Sequence, residues 1–320
     1  MEIFVELGRR ISSGVPLSVV ERATSENKWF SVSDIEFAVA AINSMMLDRE
    51  RIESWVSDYE TKSSRSESIL IVMAGNIPLV SFFDLLCVLV SGHKAIIKLS
   101  HKDRVLIGWI VDILRDIESS IPIFIYNERI TPDRVIATGG DAAVRHFGEL
   151  YRGVTTLLRG SRHSVAVLSN GENELDGLKE DIYRYSGLGC RNVSMIFVHK
   201  GYDLSNLQAP KLEELNPKHR NNYLQNRALL NLRGESFIDN GASCLIYQDH
   251  FPTQISTLAI VEYDEVESVE RWIKENDEVL QCVVASSSTI NHPRRVDFGE
   301  AQRPTLYDYA DGVDTMSFLK

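Results

Sequence analysis

The chain has 320 residues, 44% of them apolar, with 34 Lys and Arg against 45 Asp and Glu for a formal net charge of −11. About 100–200 residues per domain predicts two packed domains, and the ordinary apolar and charged fractions exclude wholesale disorder and collagen-like or low-complexity chains. The acidic balance argues against general nucleic-acid binding and against a polybasic membrane-surface protein, because both need a positive field.

Residues 1–65 read as amphipathic helices with a packing role; TSENKWFSVSDIEFAVAAINSMM places Ser and Asp start signals before apolar residues at helical spacing. The start MEIFVELGRRISSG lacks the long apolar run of a secretory signal, and four cysteines in so long a chain form no disulfide framework, so a reducing cytoplasm is expected. SILIVMAG (68–75) predicts a strand, IPLVSFFDLLCVLVSG (77–92) an apolar helix with Pro78 near its start and Gly92 at its stop, and KAIIKL (94–99) a second strand. Asn76, Pro78, Asp84 and His93 interrupt this region, which therefore reads as buried core and not as a membrane span.

A helix follows with Ser100 as its expected N-cap, then strands PIFIYN (122–127) and RVIAT (134–138), and a helix after Gly139–Gly140. Alternating helices and continuously apolar strands predict a parallel sheet covered on both faces. TTLLRGS (155–161) and SVAVLS (164–169) are strands leading out of that layer, followed by helix 172–187 and strand NVSMIFVHK. The second half continues with a polar helical stretch (204–233), strands ASCLIYQ and STLAIVEY, an acidic helix (264–278) and strand LQCVVAS. The acidic helix carries seven carboxylates against Arg271 and Lys274 and reads as a solvated face. The domain boundary is expected near 158–164: a helical N-terminus and dinucleotide-binding domain (1–160), a catalytic domain (161–295) and a C-terminal tail (296–320).

The cysteines separate by context. Cys87, Cys244 and Cys282 lie in apolar runs, where cysteine behaves as a small buried hydrophobe. Cys190, in SGLGCRNVS, is flanked by glycines and by Arg191, whose charge favours a thiolate. Nucleophile and loop cysteine both remain open from the residues alone, since no histidine is near in sequence to act as base.

Asn76 stands between a strand end and a helix start, where an amide can donate to a developing oxyanion or simply cap the helix. Lys98 ends the next strand, a place for a cofactor contact or for a snorkelling surface lysine. VIATGGDAAVRHF (135–147) has two glycines at a strand-to-helix turn, which admits a pyrophosphate at the helix N-terminus, although the three-glycine dinucleotide fingerprint is absent. The eight histidines show no metal-ligand spacing, so no metal is expected, and there is no P-loop. His163, in RGSRHSV, is either a polar loop residue or an acid or base.

Taken together AGNIPL, SGHKAIIKLS, VIATGG, LLRGSRHSVAV, YSGLGCRNVS and LYDYADGVDTMSFL resemble, in this order, the bacterial acyl-CoA reductases of the luciferase-associated fatty acid reductase family, within the aldehyde dehydrogenase superfamily. The likeness covers most of the chain and is strongest over 68–200 and at the C-terminus. It implies an α/β, aldehyde-dehydrogenase-like fold, with a parallel-sheet cofactor domain and an α/β catalytic domain. It implies Cys190 as nucleophile, an oxyanion hole made by Asn76 and the N–H of Cys190, Lys98 at the cofactor, and Thr138, Gly139 and Gly140 under its pyrophosphate.

Leu158, in LLRGS just before Gly160, stands where hydrolysing relatives carry the glutamate that activates water; its absence suits an acyl-enzyme that must wait for hydride. His101 replaces the glutamate that grips an adenosine ribose in NAD-preferring members, which implies NADPH with Lys98, Ser100 or His101 near a 2′-phosphate and Gly160 also at the cofactor. The implied activity is NADPH-dependent reduction of a long-chain acyl-CoA or acyl-protein thioester to the aldehyde, with CoA as leaving group and an acyl-transferring protein as a partner.

The alternatives are a short-chain CoA-acylating aldehyde dehydrogenase, a cysteine acyltransferase or thioesterase without a redox step, and a nucleotide-binding subunit that has lost catalysis. Lys98, Arg159, Arg162 and Arg191 are expected to give positive ground for the anionic ligands. The C-terminal segment after Pro304 reads as a strand that leaves the second domain and pairs with a second copy in a homo-oligomer, with a tail packed on its own chain as the alternative.

Overall fold

The computed structural model describes residues 1–59, 66–169 and 175–320. The chain forms two compact units, Met1–Ser161 with Arg303–Lys320, and Arg162–Gln302.

The first unit opens with helices α1 (Glu2–Ile11), α2 (Leu17–Glu26), α3 (Val32–Met46) and α4 (Arg49–Ser57). The α3 start follows the sequence signal, with the Ser31 hydroxyl accepting the N–H of Asp34, and α4 is capped in the same way by Asp48, which accepts the N–H of Arg51. There follow β1 (Ser68–Val72), α5 (Phe82–Val90), β2 (Lys94–Lys98), α6 (Arg104–Ile117), β3 (Ile123–Ile125), β4 (Arg134–Thr138), α7 (Asp141–Leu150) and β5 (Thr155–Arg159). The five strands form one parallel sheet in the order β3-β2-β1-β4-β5.

Alternation along each strand divides the core between the two faces. Ile69, Ile71, Ala95, Ile97, Ile136 and Leu157 pack with the apolar sides of α1–α6. Leu70, Val72, Ile96, Val135 and Ala137 pack with Phe147 and Tyr151 near α7. The strands are apolar throughout because both faces are covered.

Two helix starts differ from expectation. The helix expected from Pro78 begins at Phe82, because Leu79 takes a left-handed backbone (φ +57°) that no α-helix accommodates. α6 has Asp103, not Ser100, as its N-cap.

The second unit contains β6 (His163–Leu168), α8 (Leu175–Tyr183), β7 (Val193–His199), α9 (Pro217–Arg233), β8 (Ile238–Asp239), β9 (Cys244–Tyr247), β10 (Thr257–Tyr263), α10 (Val266–Glu275), β11 (Leu280–Val284) and β12 (Arg295–Val296). The start of the helix expected at 172 lies outside the described residues. The sheet runs β12-β11-β6-β7-β10-β9-β8, parallel except for the β8–β9 pair. Leu178 and Ile182 of α8 cover one face, and Val269 and Ile273 of α10 the other.

The C-terminal segment corrects the expectation of a departing strand. It belongs to the first unit and ends in the short helix α11 (Thr315–Phe318), capped by the Asp314 carboxylate, which accepts the Ser317 N–H. Met316 and Leu319 enter the core, the Leu319 carbonyl lies 2.7 Å from Nε2 of buried His93, and Arg134 donates to the Lys320 carbonyl at 2.9 Å. A segment with its apolar side chains and carbonyls engaged on its own unit offers no ladder edge to a second copy. Among the described residues no helix is long and apolar enough to cross a membrane.

Candidate active site

In the first unit the sequence-predicted residues meet at the carboxyl edge of the parallel sheet. Its strand order reverses between β1 and β4, and open α/β sheets bind ligands at such a switch. Beyond β1 lies half-buried Asn76, and beyond β4 lie Thr138, Gly139 and Gly140. Gly140 caps α7 with open space where a side chain would stand, and the Thr138 hydroxyl is buried without a hydrogen-bond partner. The Asp141 carboxylate at the α7 start accepts the Ser161 N–H at 3.0 Å, and its Oδ1 lies 3.0 Å from where a Gly160 Cβ would be, so a side chain at 160 would crowd that carboxylate.

Beyond β2, half-buried Lys98 holds its ammonium 4.7 Å from the centre of the Tyr126 ring, while His101 is exposed. The loops after β1 and β2 touch. A Cβ on Gly75 would stand 2.7 Å from the Ser100 Oγ and 3.1 Å from the Asp103 Cβ, so only glycine permits that approach.

Leu158 of β5 packs into the apolar layer near α7, in van der Waals reach of Gly148, and places no carboxylate there. Arg159 is not the anion contact expected of it. It is buried, donates from Nη1 to Asp84 at 2.5 Å and from Nη2 to the Thr315 hydroxyl at 2.6 Å, and so serves the interior.

In the second unit the cysteines separate as their contexts predict. Cys87 of the first unit, Cys244 and Cys282 are fully buried, and Cys190 alone is partly exposed, on the turn before β7. That turn is built by a residue the sequence reading passed over. Buried Asn192 accepts the Gly189 N–H at 2.8 Å and donates from Nδ2 to the carbonyls of Asp181, Ile182 and Arg184 at 3.1, 3.2 and 2.8 Å.

The bracing answers a local strain, because Tyr185, Ser186 and Gly187 in succession adopt left-handed backbones, at a cost of about 1–2 kcal/mol for each non-glycine residue. The buried His219 ring adds to it, with Nδ1 3.2 Å from the Ser186 carbonyl and Nε2 3.1 Å from that of Ala242; burial lowers its pKa. Ser164 of β6 donates to the Cys190 carbonyl at 2.8 Å.

Arg191, next to Cys190, is half-buried. It donates from Nε to the Ala301 carbonyl, on a loop that also gives its Gly299 and Ala301 N–H groups to buried Asp181 at 2.7 and 3.0 Å. Burial pushes the Asp181 carboxyl up to about 7. Arg162 donates to the Leu280 carbonyl, and the His163 ring stacks on Phe251 with centroids 4.1 Å apart, which explains a histidine there without acid–base chemistry. Among the described residues no three His, Cys, Asp or Glu side chains converge to hold a metal. Asn192, His219 and Asp181 carry no sequence motif; their roles come from which carbonyls and N–H groups the fold brings to them.

Neither family models nor curated protein sequences match the chain. Solved structures do. An acetylating aldehyde dehydrogenase from Geobacillus thermoglucosidasius is 12% identical, with a TM-score of 0.64 over 95% of this chain and 83% of that one. An NAD-dependent benzaldehyde dehydrogenase from Corynebacterium glutamicum is 11% identical, with a TM-score of 0.63 over 89% and 75%. An NADP-dependent glyceraldehyde-3-phosphate dehydrogenase from Bacillus halodurans is 12% identical, with a TM-score of 0.58 over 89% and 72%. The fold is therefore aldehyde-dehydrogenase-like, as the sequence motifs imply.

Proposed function

We propose that this chain reduces an acyl thioester to the aldehyde with NADPH, through an acyl group carried on Cys190. The observation that carries this is the separation of the cysteines: three are sealed in the core, and the fourth is partly exposed on a turn braced from several sides, within an aldehyde-dehydrogenase-like fold. Bracing of that kind suits a nucleophile that must meet a carbonyl in one orientation.

In this proposal the Cys190 thiolate attacks the thioester carbonyl, the new C–S bond forms, and the bond to the CoA sulfur breaks as CoA leaves. Asn76 and the Cys190 N–H are the donors to the tetrahedral oxyanion. Leu158, which places no carboxylate at its strand end, leaves water without a base and so protects the acyl-cysteine from hydrolysis.

Lys98, Ser100, His101, Thr138, Gly139, Gly140 and Gly160 would hold the dinucleotide. The buried unpartnered Thr138 hydroxyl and the open Gly140 at the α7 start fit such a ligand. When bound, the cofactor supplies the hydride that converts the acyl group to the aldehyde. Exposed His101, together with Lys98, favours the 2′-phosphate of NADPH over NADH.

A long-chain acyl-CoA or acyl-protein is the preferred substrate. A short-chain CoA-acylating reaction is the second reading, favoured by the likeness to an acetylating aldehyde dehydrogenase. Intact mass after mixing with acyl-CoAs of graded chain length tests both. The expected result is an adduct on the wild type, absent in Cys190→Ala, strongest with long chains and discharged by NADPH. Preference for acetyl-CoA selects the second reading, discharge by water alone selects a thioesterase, and no adduct at any length overturns the proposal.

A further inference from the structure

The segment that carries Asn76 is held at two points by residues that sit at helix N-caps and do not cap. Ser81 is the N-cap of α5 and Asp103 the N-cap of α6, and neither side chain accepts a hydrogen bond from its own helix. Ser and Asp favour that position because the oxygen satisfies an N–H of the first turn. Here the Ser81 Oγ instead accepts the N–H of Ala74, at 3.0 Å, and the Asp103 Oδ2 accepts the N–H of Leu79, at 2.8 Å.

The two anchored amides stand two residues before and three residues after Asn76. Both oxygens belong to nearly buried residues, 2% exposed for Ser81 and 3% for Asp103. The second anchor falls on the left-handed residue Leu79, whose N–H then points away from any helical partner. Gly75 completes the arrangement by lying against Ser100 and Asp103 with no room for a side chain.

We propose that Ser81 and Asp103 are positioning residues for the Asn76 amide, each giving up its helix cap to fix the loop from which that amide donates. This rests on the functional reading above, in which Asn76 stabilises the oxyanion. Preorganised donors are effective because they need no reorganisation when charge develops, so a loosened loop lowers the rate without removing the group. Asp103 also joins this loop to the one that follows Lys98, so the cofactor-side loop and the oxyanion-side loop share one buried carboxyl.

The test is the rate at which Cys190 is acylated by a long-chain acyl-CoA, followed by intact mass, in wild type, Asn76→Ala, Asp103→Ala, Asp103→Asn, Ser81→Ala and the Asn76→Ala/Asp103→Ala pair. Alkylation of Cys190 by iodoacetamide, which forms no oxyanion, runs in parallel as a check on the nucleophile and on folding. Asp103→Ala and Ser81→Ala are expected to acylate roughly 10–100-fold more slowly, with alkylation unchanged.

Asp103→Asn, whose amide oxygen can still accept the Leu79 N–H, is expected to recover most of the rate. The double variant is expected to be no slower than Asn76→Ala alone, because a residue that acts through Asn76 has nothing left to position. Multiplying losses in the double variant, or wild-type acylation by both Asp103→Ala and Ser81→Ala, overturns the proposal. A wild-type chain that is alkylated at Cys190 but never acylated overturns the functional reading, and this inference with it.

Discussion

The guanidinium of Arg159 and the carboxylate of Asp84 meet at 2.5 Å with side chains only 4% and 6% exposed, joining the end of β5 to the first turn of α5. Thr315, from the returning C-terminal segment, accepts the second guanidinium donor. Removing one partner leaves an uncompensated buried charge, so Asp84→Ala is expected to destabilise the first unit by about 3–5 kcal/mol. Asp84→Leu with Arg159→Met is expected to cost less than either single change. Urea unfolding of Asp84→Ala, Asp84→Leu, Arg159→Met and the double variant checks this; a single variant with an unchanged midpoint contradicts it.

The cysteines predict their own reactivity. Burial holds the Cys87 thiol above its ordinary value and pushes that of Cys244 up to about 11. With iodoacetamide near neutral pH, native protein is expected to take one label, on Cys190, and denatured protein four. Peptide mapping of the native label decides it.

Asp181 should give the second unit a pH-dependent stability. Its carboxyl titrates at about 7 in the folded chain against an ordinary value of 3.8, so the folded state binds its proton more tightly. The contribution is fully present below about pH 4 and is lost as pH rises through about 7, amounting to about 3 kcal/mol between pH 5 and 8. Asp181→Asn, which cannot ionise, is expected to flatten that dependence. Urea unfolding at the two pH values measures it, and parallel curves for wild type and variant would refute it.

Asn192→Ala removes four hydrogen bonds from the turn that carries Cys190 and is expected to cost roughly 2–4 kcal/mol. Amide exchange at Gly189 should accelerate far more than exchange in the β10 ladder, because the released N–H has no other partner of that quality. Uniform acceleration would show global destabilisation instead of a local clamp.

Gly75→Ala drives a Cβ to within 2.7 Å of the Ser100 Oγ and is expected to cost about 1–3 kcal/mol and to weaken NADPH binding. Ser100→Gly in the same chain should recover part of the stability, since it removes the two nearest atoms. Thermal unfolding and nucleotide titration of the single and double variants test the pair.

Much of this was legible in the residues. Continuous apolar runs at 68–72, 94–98 and 134–138 had to be strands buried on both faces, and Ser31 announced the helix it caps. The cysteines sorted themselves by neighbours, because an apolar run fixes burial without knowledge of the fold. What the sequence could not decide was where a polar group spends its hydrogen bond. Ser81 and Asp103 sit at helix starts and bond elsewhere, Arg159 turns inward to Asp84, and Arg191 turns to Ala301. The C-terminal segment has strand-like composition but folds back as a short helix. The partner lies outside the local turn in each case, from seven residues away for Ser81 to 110 for Arg191, and a hydrogen bond goes to whichever acceptor or donor the folded chain presents with good geometry and no water. Periodicity reads burial, a property of one residue and its neighbours; pairing belongs to two, and only the tertiary structure brings the second.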